Sequence, residues 1–193
     1  MVQFLGVIIL AVNKSRRTAS PKVPYLRVAN VMRGYLDLDE VRTIGFASGD
    51  EIYELKPKDI LIVEGHANSE EIGRAALWKN EIEQCLHQNH LIRVRCHENL
   101  DPEFLVIYLN STHGRKYFLA YSKSTSGLNT INSTVVREIQ VPEVMLDTQR
   151  ELVIIVNKVL SQQNKSNQRY ESLHSIKNAF LSQLGENHVT IAA

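Results

Sequence analysis

The sequence predicts an α+β chain: a small mixed-sheet domain over residues 1–146, a long helix over 147–185 that pairs as a coiled coil, and a tail over 186–193. Three observations predict it. Short apolar runs bounded by Gly, Asn, Asp or Glu recur through the first hundred residues, the pattern of short buried strands. Asp101-Pro102 then places a capping side chain before a proline at the first helical position. From Asp147 onward there is no proline, and no glycine until Gly185.

The elements follow in order. Val2 to Val12 is a dense apolar run, readable as a buried strand or a short helix, which periodicity alone does not separate. Lys14 to Pro24 reads as a loop, Tyr25 to Val31 as a strand and Arg33-Gly34 as a turn. Ile60 to Val63, Ala75 to Trp78 and Leu91 to Val94 are expected strands. After Asp101-Pro102 a helix continues from Glu103 to Leu109, and a second is expected from Arg115 to Tyr121 beyond a break at Thr112-His113-Gly114. Ser122 to Asn129 reads as a polar loop and Val135 to Val141 as a strand.

In the last segment Leu152, Val156, Val159, Gln163, Ser166, Tyr170, Leu173, Lys177, Phe180 and Leu184 fall at alternating a and d positions. Most are apolar, so one long helix wants a partner helix, with Leu152, Val156, Val159, Tyr170, Leu173, Phe180 and Leu184 as the dimerisation seam. Two shorter helices broken near Gln162 to Asn167 are the alternative.

At 193 residues the chain can hold one domain and an appendage. Its 44% hydrophobic and 22% charged content is that of an ordinary soluble protein. No run is long and apolar enough to span a bilayer, and Met1 to Val12 lacks the basic lead and the cleavage site of a signal peptide. Cys85 and Cys96 form neither a close-spaced metal motif nor a disulfide framework, which suits a reducing cytoplasm.

Net charge is only +1, but it is segregated. Residues 1–36 carry Lys14, Arg16, Arg17, Lys22, Arg27 and Arg33 with no acid, whereas residues 37–64 hold eight acids against three bases. A locally basic surface can neutralise phosphates on a nearly neutral protein.

Motifs for chemistry are missing. There is no Asn- or Asp-Pro-Pro-aromatic loop to hold a flipped base, no glycine-rich turn for a methyl donor and no phosphate-cradling Gly-x-x-x-x-Gly-Lys-Ser/Thr loop. His87-Gln88-Asn89-His90 invites a metal-dependent nuclease reading, but a metal needs three or four converging ligands, and Cys96, His97 and Glu98 lie beyond an intervening strand. Alternation with Ile92 and Val94 instead puts His90 in the core. Ser69, His66 and Asp59 can be drawn as a triad, yet nothing resembles a nucleophile elbow. No catalytic residue, metal site or cofactor is expected. Arg74 has the chemistry for bidentate contact with guanine, while its neighbours Ala75, Ala76 and Leu77 look like core and Trp78 like a packing residue.

The segments Pro24 to Val31, Leu55 to Gly65, Ile72 to Trp78, Asn89 to Arg95 and Thr125 to Asn132 together resemble the target-recognition domain of type I restriction-modification specificity subunits. The likeness covers most of residues 20–150 through several short motifs in order. Where that family has a double proline and a Glu-Gln pair before its long helix, this chain has Val141-Pro142-Glu143-Val144 and Thr148-Gln149. Complete subunits of the family carry two recognition domains separated by two antiparallel helices, so the chain resembles half a subunit.

The resemblance implies a sequence-specific binder of double-stranded DNA, working with methyltransferase and restriction subunits and doing no chemistry itself. It implies a homodimer through the C-terminal helix. Phosphate contacts are expected from Lys14, Arg16, Arg17, Lys22 and Lys123, and base contacts from Asn68, Arg74, Asn80 and Ser124. A small metal-dependent nuclease and the recognition part of a fused restriction-modification enzyme are the alternatives.

Overall fold

The computed structural model describes residues 5–10, 21–125 and 127–189, with positions 5–10, 125 and 184–189 described by backbone alone. The architecture is α+β and divides into two compact units, residues 1–150 and 151–193. In chain order the first unit contains β1 (Leu5–Leu10), β2 (Lys22–Leu26), β3 (Arg42–Gly45), β4 (Ile60–Val63), β5 (Gly65–His66), β6 (Ala75–Leu77), β7 (Leu86–His87) and β8 (Leu91–Cys96). These are followed by α1 (Pro102–Asn110), α2 (Thr112–Tyr121), β9 (Lys123–Thr125), β10 (Leu128–Thr130), α3 (Ser133–Glu138) and the start of α4 (Leu146–Val189).

Among the described residues the strands form three small sheets. The central sheet has the order β1-β8-β4-β6 and is antiparallel throughout, with Ile60 opposite Val94 and Leu77, and Ile62 opposite Ile92 and Ala75. All four residues of β4 are fully buried, which is why its sequence is apolar without alternation. Leu61 and Val63 share one cluster with Leu26, Val31, Leu55, Ala76, Trp78 and Leu91. The outer edge of β6 is closed by Asn110 at the end of α1, whose amide donates to the Ala75 carbonyl (2.8 Å) and accepts from the Ala75 amide (3.1 Å). A side chain thus supplies the pairing that a neighbouring strand would otherwise offer. The second sheet, β3-β2-β7, is mixed, with β2 antiparallel to β3 and parallel to β7; the third is β5-β10-β9.

Charge is buried beneath the central sheet. Asp59, fully buried before β4, accepts two hydrogen bonds from the Arg95 guanidinium (2.6 and 3.0 Å) and one from the Lys56 amide (2.8 Å). Arg93, also fully buried, lies 3.8 Å from the same carboxylate and donates to the Glu54 carbonyl. The carboxylate is therefore shared by two guanidiniums.

Several elements differ from expectation for local reasons. The Val2 to Val12 run forms a strand at Leu5–Leu10, and β2 begins at Lys22, inside the expected loop. The expected strand over Tyr25 to Val31 ends at Leu26 and gives way to a short 3-10 turn at Val28–Asn30. Val135 to Val141 is not a strand: Asn132 caps α3 by accepting from the Val135 amide (3.0 Å), and Val136 is buried from a helix. Ser122 to Asn129 is not a loop but the hairpin of β9 and β10, turned at Gly127 with φ +81°. Nor does Gly114 break a helix. Ser111 caps α2, and a Cβ on Gly114 would lie 2.4 Å from the Leu109 carbonyl oxygen, so glycine lets α2 start directly against the end of α1.

Gln149, in the first turn of α4, is 2% exposed. It accepts from the Asp101 amide (2.8 Å) and donates to the carbonyls of Asn99 (3.0 Å) and Val144 (2.7 Å). Asp101 in turn caps α1 through the amides of Glu103 and Phe104. One glutamine therefore ties the start of α4 to the cap of α1.

The second unit is the remainder of α4. The helix runs unbroken through Gln162 to Asn167, removing the two-helix alternative, and continues to Val189, beyond the boundary at 185. Leu152, Val159, Tyr170, Leu173 and Phe180 are exposed and Val156 is half-buried; the side chain of Leu184 lies outside the described residues. No described helix is long and apolar enough to cross a membrane.

Candidate nucleic-acid interface

The chain between β5 and β6 builds the candidate surface. Gly65 and His66 pair with Thr130 and Asn129 of β10, which pair in turn with Lys123 and Ser124 of β9. Asn129 donates through its side-chain amide to the Ala67 carbonyl at 3.0 Å, fastening the loop after β5 to the hairpin. Asn68 then caps a single 3-10 turn, Ser69–Glu71, by accepting from the Glu70 amide at 3.0 Å, while its own amide donates to His66 Nδ1. Exposed Asn68, Lys123 and Ser124 are thereby gathered onto one small sheet and the loop attached to it.

Other expected contacts are not gathered there. Asn80, exposed with φ +71°, follows Trp78 at the Ile60 end of the β4–β6 pair, whereas Asn68 follows the Val63 end. Lys22 is exposed at the first position of β2, in a different sheet. Lys14, Arg16 and Arg17 lie outside the described residues.

Arg74 lies among internal contacts. Only 8% exposed, it donates to Glu71 Oε2 at 2.7 Å and to the Val28 carbonyl at 2.9 Å, joining two loops from beneath. The Arg74 hydrogen bond, larger than the opposing effect of burial, holds the Glu71 carboxyl below its usual range. A guanidinium engaged at both ends acts as a brace.

His90 does not enter the core as its alternation with Ile92 and Val94 suggested. His90 is half exposed and sits 3.1 Å from Glu64 Oε2, because β8 begins one residue later, at Leu91. His87 is the fully buried one, and neither of its ring nitrogens has a well-aligned partner. The pair that suggested a nuclease does not converge. Among the described residues no group of three or more His, Cys, Asp or Glu is placed to hold a metal ion. Trp78 is fully buried, as its packing role requires.

Sequence reading overlooked Arg115 and Lys116, both exposed on α2. The available signal was the run from Phe104 to Arg137, which contains no Asp or Glu.

The family model for the type I restriction modification DNA specificity domain matches residues 10–175. The chain belongs to this family. It is 24% identical over 165 residues to the putative type I restriction enzyme MjaX specificity subunit of Methanocaldococcus jannaschii, covering 83% of this chain and 38% of that protein. To the type I restriction enzyme EcoKI specificity subunit of Escherichia coli K12 it is 26% identical over 138 residues, covering 70% of this chain and 29% of that one. Among solved structures, a chain from work on complex assembly and conformational transition of the type I R-M system superposes with a TM-score of 0.55 at 16% identity. That match covers 80% of this chain and 36% of the other, and shows shared fold. The chain thus spans roughly a third of the length of these relatives.

Proposed function

We propose that this chain recognises a DNA sequence on behalf of a type I restriction-modification complex, and that the methyltransferase and restriction chemistry belongs to its partner subunits. Such a role places it in the cytoplasm and needs no cofactor. The observation that carries the reading is the fastening of the Asn68 loop to the β9–β10 hairpin in a member of the specificity-domain family. With its oxygen engaged in the cap, Asn68 offers its amide protons to base acceptors. Ser124 can donate or accept, and Lys123 serves the adjacent phosphates. Lys22, Lys14, Arg16 and Arg17 are further phosphate candidates, and Asn80 is a base-contact candidate at a separate position.

Pairing through α4 is the second half of the proposal. Apolar side chains cluster at Leu152 to Leu160 and again at Tyr170 to Leu181, with Gln163 and Ser166 between them. Two copies running in opposite directions about this polar middle would set the first block of each against the second block of the other. Lys177 then faces the partner's first block instead of another Lys177. A two-fold pair presents the same reader twice.

Selection of bound duplexes from a randomised library tests both halves, using the purified chain alone and with a methyltransferase subunit. The expected product is a short sequence and its inverted copy around an unread spacer, bound without cleavage in the presence of magnesium. Recovery of one asymmetric site would remove the homodimer, and metal-dependent cutting by the chain alone would restore the nuclease reading.

A further inference from the structure

The loop between β5 and β6 has a second side. Beneath it Gly73, at φ +70°, faces the Phe118 ring of α2 so closely that a Cβ would lie 2.1 Å from a ring carbon. Glycine alone therefore allows α2 to seat on this loop. Glu70 then receives two guanidiniums from separate elements: Arg115 Nη2 lies 2.6 Å from its carboxylate, and Arg33 donates to its backbone carbonyl. Arg74 takes Glu71.

Arg33, Arg74, Arg115 and exposed Lys116 thus bring four positive charges against the two carboxylates of Glu70 and Glu71. A groove of about 290 Å³, lined by Glu70, Thr112, Arg115, Lys116 and Leu119, opens beside them. The excess is felt inside the cluster: burial first, and then Arg115, holds the Arg33 guanidinium below its ordinary range. No acid from α2 is available to cancel it, since the chain has none from Phe104 to Arg137.

We propose that Arg115 and Lys116, steadied by Glu70, form a phosphate-binding ledge for the DNA backbone alongside the base-reading loop, an inference that rests on the DNA-recognition reading above. Asn68 and Glu70 belong to the same 3-10 turn and its cap, so a duplex reaching Asn68 brings its backbone to the ledge. A phosphate offers Arg115 the bidentate partner that suits a guanidinium, and Lys116 the point charge. Glu70 holds Arg115 in place when DNA is absent and competes with phosphate when DNA arrives. Removing its charge therefore strengthens binding.

The test uses the full chain and a short duplex of random sequence, with affinity measured across a salt series. Arg115→Ala with Lys116→Ala should lower the slope of log affinity against log salt by about 0.9 for each phosphate no longer neutralised, weakening all duplexes alike. Glu70→Gln should tighten binding to all duplexes. An unchanged slope in a folded double variant overturns the ledge, as does a weakening confined to one base position. If the double variant does not fold, Lys116→Glu alone decides, because its side chain is exposed: unchanged affinity overturns the proposal. A parent chain that binds no duplex at low salt would bring down the DNA-recognition reading itself, and this inference with it.

Discussion

Replacing His87 with leucine should make the domain less sensitive to acid. His87 is fully buried, and burial, reinforced by the nearby Arg93, pushes its pKa from the ordinary 6.5 down to about 3. The backbone at Gln88 and Leu91 opposes this only in part. In the unfolded chain the ring gains its proton as pH falls through about 6.5; in the folded chain it stays neutral until about 3. The neutral native ring therefore contributes full stability above the unfolded value and loses it progressively as pH falls between those limits. The loss is about 1.4 kcal/mol per pH unit well below 6.5, so about 2 kcal/mol has gone at pH 5. Leucine has similar volume and no proton to gain. Urea unfolding at pH 7.5 and pH 5 measures this through the fluorescence of Trp78, the sole tryptophan, which sits in the core of the first unit. Equal losses in parent and variant between the two pH values would refute the reasoning.

Three further perturbations probe the charge buried below the sheet, the start of α4 and the basic first segment. Asp59→Ala leaves buried Arg93 without its counter-charge and should cost about 3–5 kcal/mol in the same urea assay; a loss under about 1 kcal/mol would mean that the cluster rearranges freely. Gln149→Ala removes hydrogen bonds to three backbone groups and should destabilise the first unit by about 1–3 kcal/mol, with an unchanged midpoint counting against its anchoring role. Removing Lys14, Arg16 and Arg17 together should weaken DNA binding across sequences and flatten its salt dependence by up to about 0.9 log units per phosphate neutralised in the parent; an unchanged slope would place this segment away from DNA.

The fold was legible where sequence signals agreed. Ile60 to Val63 is apolar on both faces because it is central, and Asp101-Pro102 begins a helix because the side chain and the missing amide both suit the first turn. It was obscured where local and global preferences diverged. Val135-Val136 looks like a strand, but the Asn132 cap turns the backbone into a helix and one buried valine is enough to dock it. The β9–β10 hairpin is hard to see because Lys123 and Ser124 are exposed and Leu128 is half so, leaving no apolar alternation to register. His90 was misplaced for a related reason: side chains alternate with period two only inside a strand, and this one sits one residue before β8.

The candidate site divides along the same line. Asn68 and Lys123 are separated by more than fifty residues of sequence, and no spacing rule connects them; the β5–β10 pairing and the Asn129 bond do. Arg74 shows the converse, since its chemistry suggests a base contact while its guanidinium engages Glu71 and Val28 within the fold. What the scaffold fixes is the path of the backbone between Gly65 and Arg74. The hairpin holds it at one end, the Val63–Arg74 hydrogen bond at the other, and α2 from below through Gly73. None of these supports uses the exposed side chains of Asn68, Lys123 or Ser124 to bury a core. Those positions can change with little effect on the fold, while each change alters the donors and acceptors offered to a base edge. Asn68→Ser, which keeps a capping oxygen, should therefore leave stability nearly unchanged and alter the selected bases within one half-site. A variant that loses fold and binding together would instead make Asn68 part of the scaffold.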